Sequence, residues 1–251
     1  MEAWLEQPDV KAMVVTHASN LTGNLVDIER LGARCHACGK LFIVDAAQTA
    51  GVFPVSMKKQ HIDVLCFTGH KSLLGPQGTG GLCLRTGLKL RTWKSGGSGI
   101  QTFSRTQPET MPVCLEAGTL NAHGLAGLHA GLLYLRDTGL AVIRRHEQQL
   151  ARRFYEGVCQ IPGVRVYGDF SVQERAPIVS LNIGDEASGS ISDALSQDYG
   201  ICTRPGGHCA PLMHLHFGTR TQGMVRFSFS YFNTMEEIDT AVRAVRELAQ
   251  E

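Results

Sequence analysis

Lys71 stands at the end of an apolar run and just ahead of a glycine-rich stretch, in "CFTGHKSLLGPQGTGG" at positions 66–81. Desolvating an ammonium at a strand end costs several kcal/mol unless something compensates. An enclosed lysine whose pKa is depressed is instead a nucleophilic amine that can form a Schiff base with an aldehyde. His70 lies beside it, and Asp45 and Gln48 fall in "VDAAQ", just past another apolar run; Asn20 sits in "THASN". Taken alone, Lys71 reads as a solvated loop lysine, but this company changes the reading. An imine-forming amine with a carboxylate to keep a heterocyclic nitrogen protonated is the pair that pyridoxal phosphate requires.

The elements that must position these groups alternate in a regular way. "AMVVT" (12–16), "LFIVDAAQ" (41–48), "DVLCF" (63–67) and "GGLCLR" (80–85) read as strands. Between the first two, Leu25, Ile28, Leu31, Ala33 and Cys35 approximate one helical face that Gly39 ends. Near-continuous apolar strands alternating with helices predict an α/β fold, a mostly parallel sheet with helices on both faces. In such sheets ligands sit outside the carboxyl ends of the strands, where Asp45, Gln48, His70 and Lys71 are expected. Residues 95–124 read as a long irregular loop, 124–139 and 141–160 as consecutive helices. From about 145 the pattern becomes a smaller α+β unit, which predicts a division into 1–144 and 145–251, with the long helix bridging the two.

The 251 residues carry 24 Lys and Arg against 23 Asp and Glu, a formal net charge of +1. That balance gives no electrostatic case for nucleic acid or an anionic membrane surface. No stretch approaches about 18 consecutive apolar residues, and the N-terminal segment lacks the apolar core of a signal peptide. Eight irregularly spaced cysteines in a chain this long do not read as a disulfide framework, so a reduced cytoplasmic protein is expected.

Six blocks, "HASNLTGN", "VDAAQTAG", "FTGHKSLLGPQGTGGL", "LEAGTLN", "RPGGHCAPLMH" and "VRFSFSYFNT", resemble in order those of the cysteine desulfurase family of class V aminotransferase-fold proteins, the fold-type I transferases that use pyridoxal 5'-phosphate. The resemblance implies that Lys71 holds the cofactor covalently, with Asp45 under the ring nitrogen and Gln48 and Asn20 near the ring hydroxyl. It places Thr68 and His70 on the phosphate, and Gly118 and Thr119 on the phosphate of a neighbouring subunit, hence a homodimer. Arg226 resembles the clamp on the substrate carboxylate and Arg204 a second active-site arginine. Cys209, on a glycine-flanked loop beside His208, matches the cysteine that takes sulfur from cysteine as a persulfide, leaving alanine, with a sulfur-acceptor protein as a further partner. The other cysteines considered, Cys35, Cys38, Cys66, Cys83 and Cys114, match no motif and read as structural.

The same fold hosts aminotransferases and selenocysteine lyases, and fold alone does not separate them. The resemblance also implies a segment ahead of "HASN" that cradles the phosphate. The first strand starts near residue 12, so the large sheet is expected to be incomplete, with apolar surface uncovered; a fragment, an inactive remnant and an enzyme completed by another chain then compete. A zinc site from "CHAC" and "HCAPLMHLH" lacks a second close pair with suitable spacing. "GPQGTGG" lacks a P-loop ending, the glycines do not fit G-x-G-x-x-G, and no G-x-S-x-G motif is present.

Overall fold

A computed structural model describes residues 2–250. Four strands, β1 (Ala12–Thr16), β2 (Leu41–Asp45), β3 (Val64–Thr68) and β4 (Gly80–Leu84), form one sheet in sequence order. β1–β2 and β2–β3 are parallel and β4 returns antiparallel to β3, so the expected α/β architecture with a mostly parallel sheet is borne out. Helix α1 (Ile28–Ala37) crosses between β1 and β2. Asp27 caps it by accepting from the Arg30 N–H, and Gly39 ends it at φ +66°, a conformation that suits glycine. Its Ile28, Leu31 and Cys35 pack with Leu5 onto Val15, Phe42 and Val44 of the sheet. On the opposite face Val14 is 69% and Leu82 45% exposed.

Beyond β4 the chain runs irregularly to α2 (Ala122–Thr138), as the glycine- and threonine-rich composition predicts, and α3 (Leu140–Val158) follows directly. A second sheet of β5 (Val164–Tyr167), β6 (Ile178–Ile183) and β7 (Val225–Ser228) is antiparallel throughout. Every residue of β6 is buried. Leu150, Phe154 and Val158 of α3, Leu195 of α4 (Ser188–Tyr199), and Ile238 and Val245 of α6 (Met235–Leu248) cover that sheet, with the Phe154 and Phe227 rings 4.4 Å apart. A Thr234–Glu237 capping box starts α6. The first turn of α3 belongs to a different core, where Ile143 meets Leu73, Leu128 and Leu135. The expected division at 144/145 therefore falls inside a helix shared by two cores. One α-helix lies outside the sequence expectations: α5 (Pro211–Phe217), two turns in length, directly after the Cys209 loop.

Candidate functional site

The carboxyl ends of β1, β2 and β3 turn toward the second sheet. After β1, the buried His17 donates its backbone N–H to the Asp45 carbonyl and shares a 2.9 Å bond between Nδ1 and the Thr49 hydroxyl. Burial pushes the His17 pKa down to about 4, so it is a neutral support for the strand ends. Ser19 then folds the chain into a tight turn, its Oγ accepting from the Leu21 and Thr22 N–H groups, which sets Asn20. After β2, an Asp45 carboxylate oxygen accepts from the Ala47 N–H at 2.8 Å, and Gln48 follows one turn on. After β3, Thr68 Oγ1 and His70 Nδ1 lie 2.8 Å apart, and Lys71 begins the loop that leads to β4. Glycines on α2 allow that loop to come close. A Cβ on Gly131 would stand 2.6 Å from the Leu73 carbonyl oxygen, and one on Gly127 would stand 2.6 Å from the Pro76 ring.

The second wall comes from the small sheet. Arg204 pairs antiparallel with Arg226 of β7 through N–H to carbonyl bonds of 3.2 and 2.9 Å, which sets two guanidinium side chains on neighbouring strands. Arg226 Nη1 donates to the Asn20 carbonyl at 2.9 Å, while its buried Nε has no partner. Arg204 Nη2 lies 3.7 Å from Cys209 Sγ. Asn20 Nδ2 donates to the His208 carbonyl at 2.6 Å. His208 and Cys209 both adopt positive φ, 52° and 57°, a costly pair for side-chain-bearing residues that holds the thiol out on a sharp turn.

Together these elements enclose a cavity of about 400 Å³ whose walls include Asn20, Gln48, Lys71, Arg204, Cys209 and Arg226. Burial lowers the Lys71 pKa from its ordinary value; the Asp45 charge opposes that shift, and Arg226 and Arg204 add to it. The Arg226 pKa is likewise lowered, first by burial and then by Arg204. The enclosure thus holds an amine biased toward its nucleophilic form, two guanidiniums for anions and an exposed thiol, with the Asp45 carboxylate outside its walls but close enough to influence the amine. The orphaned Arg226 Nε is the kind of buried donor an anionic ligand satisfies. The donor set therefore fits an anionic, amine-reactive ligand.

The structure brings six sequence-chosen residues to one cavity and leaves others outside its walls. Asp45 is exposed at the strand end, Thr68 and His70 bond to each other beside it, and Gly118 and Thr119 are exposed in the irregular segment. Glu147 was not anticipated. It lines the deep end of the cavity, 4% exposed, with Oε1 accepting from the Tyr231 N–H at 3.1 Å and Oε2 without a partner. Burial raises its pKa to about 7. Its signal in the sequence was a carboxylate within the apolar stripe Ile143, Leu150, Phe154 and Val158. A larger hollow of about 730 Å³ lies at the other end of β2, lined by His36, Lys40, His61 and Arg85, remote from Lys71. Cys35 and Cys38 sit at the end of α1, and among the described residues no three His, Cys, Asp or Glu side chains gather to hold a metal. Nor is any described helix long and apolar enough to cross a membrane.

The aminotransferase class-V family model matches residues 1–241. A probable cysteine desulfurase of Methanothermobacter thermautotrophicus is 35% identical over 244 residues, 95% of this chain and 60% of that protein. The apo structure of a cysteine desulfurase from Thermococcus onnurineus superposes with a TM-score of 0.86 at 33% identity, covering 99% of this chain and 62% of that one. The Escherichia coli cysteine desulfurase CsdA, solved with an S-sulfonic acid, gives 0.88 at 29% identity, covering 99% and 61%. The chain spans about 60% of the length of the relatives it matches.

Proposed function

This chain belongs to the aminotransferase class-V family, and from that premise we propose that it binds pyridoxal 5'-phosphate and takes sulfur from L-cysteine, releasing L-alanine. One observation carries the reading: Lys71, Arg204, Arg226 and Cys209, contributed by both sheets, share a single cavity. Lys71 would hold the cofactor covalently, Asp45 would face its ring nitrogen, Asn20 and Gln48 its ring hydroxyl, and Thr68 and His70 its phosphate. When bound, the cofactor supplies a sink for the electron pair left at the substrate α-carbon. Arg226 binds the substrate carboxylate, a task suited to a guanidinium, and Arg204 adds positive charge beside the thiol. With its pKa lowered, the Lys71 amine can take the α-proton and return a proton to the product. Cys209 Sγ, as thiolate, attacks the substrate sulfur. The carbon–sulfur bond breaks with its electron pair going to the β-carbon, which takes up a proton to become the methyl of alanine, and Cys209 is left carrying the sulfur as a persulfide.

Gly118 and Thr119, exposed and apart from the cavity, suit the homodimer that the resemblance implies. Eight free cysteines suit a reducing cytoplasm and a thiol-bearing sulfur acceptor. Incubation with cofactor and cysteine should yield alanine together with persulfide at Cys209. Cys209→Ala should abolish both while the cofactor absorbance persists, and Lys71→Ala should remove that absorbance. Alanine formation that survives Cys209→Ala would defeat the sulfur-transfer reading, and equal spectra with and without Lys71 would defeat the cofactor reading.

A further inference from the structure

Cys209 has two sides. One faces the Lys71 cavity; the other lines a separate cavity of about 680 Å³ with Gly207, His208, Pro211, His214, Leu215 and Arg220. The walls of this second cavity contain two unsatisfied imidazoles. His208 and His214 are 2% and 3% exposed, their rings parallel with centroids 5.8 Å apart. His208 Nε2 lies 2.8 Å from the Arg204 carbonyl, which can only accept, so the proton is on Nε2. The neutral ring then carries a bare lone pair on Nδ1, and that buried nitrogen has no partner. His214 Nδ1 shares a 2.8 Å bond with the Thr219 hydroxyl, and its buried Nε2 is also unpartnered. Arg220, exposed at the mouth, has no ion-pair partner among the described residues. A buried acceptor without a donor costs about 1–3 kcal/mol, so each orphaned nitrogen marks a place where a ligand hydrogen would be favourable.

We propose that this second cavity receives a small thiol bearing a carboxylate, and that the sulfur carried by Cys209 leaves through it. The inference rests on the desulfurase reading for the origin of that sulfur. Arg220 binds the carboxylate, and His214 Nε2 accepts the hydrogen bond of the incoming S–H beside the stacked His208 ring. With Nδ1–H donated to Thr219, His214 Nε2 takes the thiol proton. The freed thiolate attacks the outer sulfur of the Cys209 persulfide; a new S–S bond forms as the old one breaks, its electron pair returning to Cys209 Sγ. His214 then gives its proton to that thiolate. A thiol and a persulfide have exchanged one sulfur, and no external oxidant or reductant is consumed. Substrate enters on one side of the cysteine loop and product sulfur departs on the other, so the two half-reactions need not compete for one space.

The test loads sulfur without cysteine or cofactor, by treating the chain with inorganic polysulfide, and follows persulfide at each cysteine-containing peptide by mass spectrometry. Exposed Cys83 and Cys202, outside this cavity, serve as internal references. On adding 3-mercaptopropionate, Cys209 should discharge faster than either reference, and faster than with the neutral 2-mercaptoethanol. Arg220→Ala should erase that preference for the anionic thiol. His214→Phe should slow discharge at Cys209 about tenfold, below the usual range of general-base effects because thiols are partly ionised already. Retained anion preference in Arg220→Ala, or discharge at Cys209 no faster than at Cys202, would overturn the proposal. Alanine release from cysteine, measured in parallel on wild type, reports on the desulfurase reading alone. Loss of alanine with intact cavity-dependent discharge would sink that reading and leave the cavity standing.

Discussion

The two sheets that hold the site differ in how they are buried. In the small one, all six residues of β6 are buried, and α3, α4 and α6 pack over it. In the large one, Val15, Phe42 and Val44 face a core while Val14 and Leu82, on the reverse side, meet solvent. The two guanidiniums proposed to grip anions, Arg226 on β7 and Arg204 bridged to it, therefore belong to the closed side, and the amine proposed to make covalent chemistry, Lys71, follows the end of the open sheet. Register follows the same division. In β6 either face is buried, so a slip would have to re-sort a whole core; in β1 a single buried position, Val15, does most of the specifying.

The largest expected effect tests the closed sheet. Leu181→Ala, at a fully buried β6 position, should cost about 2–5 kcal/mol in denaturant unfolding. A loss below about 1 kcal/mol would mean that this core is looser than its packing implies. Next comes the carboxyl between the two cores. Because burial raises the Glu147 pKa from 4.5 to about 7, the folded chain keeps a proton there that the unfolded chain releases above pH 4.5. The stability it contributes is full below 4.5 and is lost as pH rises toward 7, by on the order of 3 kcal/mol at most. His17 and His208, with pKa values lowered to about 4, act in the opposite direction: their contribution is full above about 6.5 and is lost as pH falls toward 4. Subtracting Glu147→Gln from wild type across pH 5–7 should isolate the Glu147 slope, and parallel curves would show that the carboxyl is ionised throughout.

Smaller still is Gly131→Ala. The added methyl meets the Leu73 carbonyl oxygen at 2.6 Å, so α2 must retreat from the Lys71 loop at a cost of about 1–3 kcal/mol. Cofactor affinity should fall along with stability; an unchanged melting temperature would show that the loop yields freely. Last, Val14→Thr on the open face should change stability by no more than about 0.5 kcal/mol. A cost of 2 kcal/mol there would mean that the face is covered in solution, and the contrast between the two sheets would disappear.

Most of this architecture could be read from local pattern, because it rests on periodicity. β1 falls on "AMVVT" residue for residue, β2 and β3 differ from expectation only at their ends, and both long helices lie within two residues of their expected limits. α5 went unread because seven residues with Pro211 first and two histidines among the last four give too short a period to detect. Glu147 was legible in principle, as a charge where the stripe calls for an apolar side chain, but charge at one position is easily absorbed into an amphipathic helix. Lys71, Asp45 and Gln48 were found because strand ends are local features. The meeting of Arg204 with Arg226, and of Arg226 with Asn20 206 residues away, depends on pairing that no window of sequence contains. There the family resemblance supplied what the pattern could not. Likewise, the hollow behind Cys209 arises from two histidine rings stacking across a turn and a helix, a matter of side-chain placement rather than spacing.

Asn20 stands where the two walls of the site join. Its side-chain amide holds the carbonyl next to Cys209, and its own carbonyl takes a proton of the Arg226 guanidinium. One residue of the turn after β1 therefore fixes both the Cys209 turn and the Arg226 guanidinium. Both bonds run through one residue, so any displacement of Asn20 alters the Cys209 turn and the Arg226 guanidinium together.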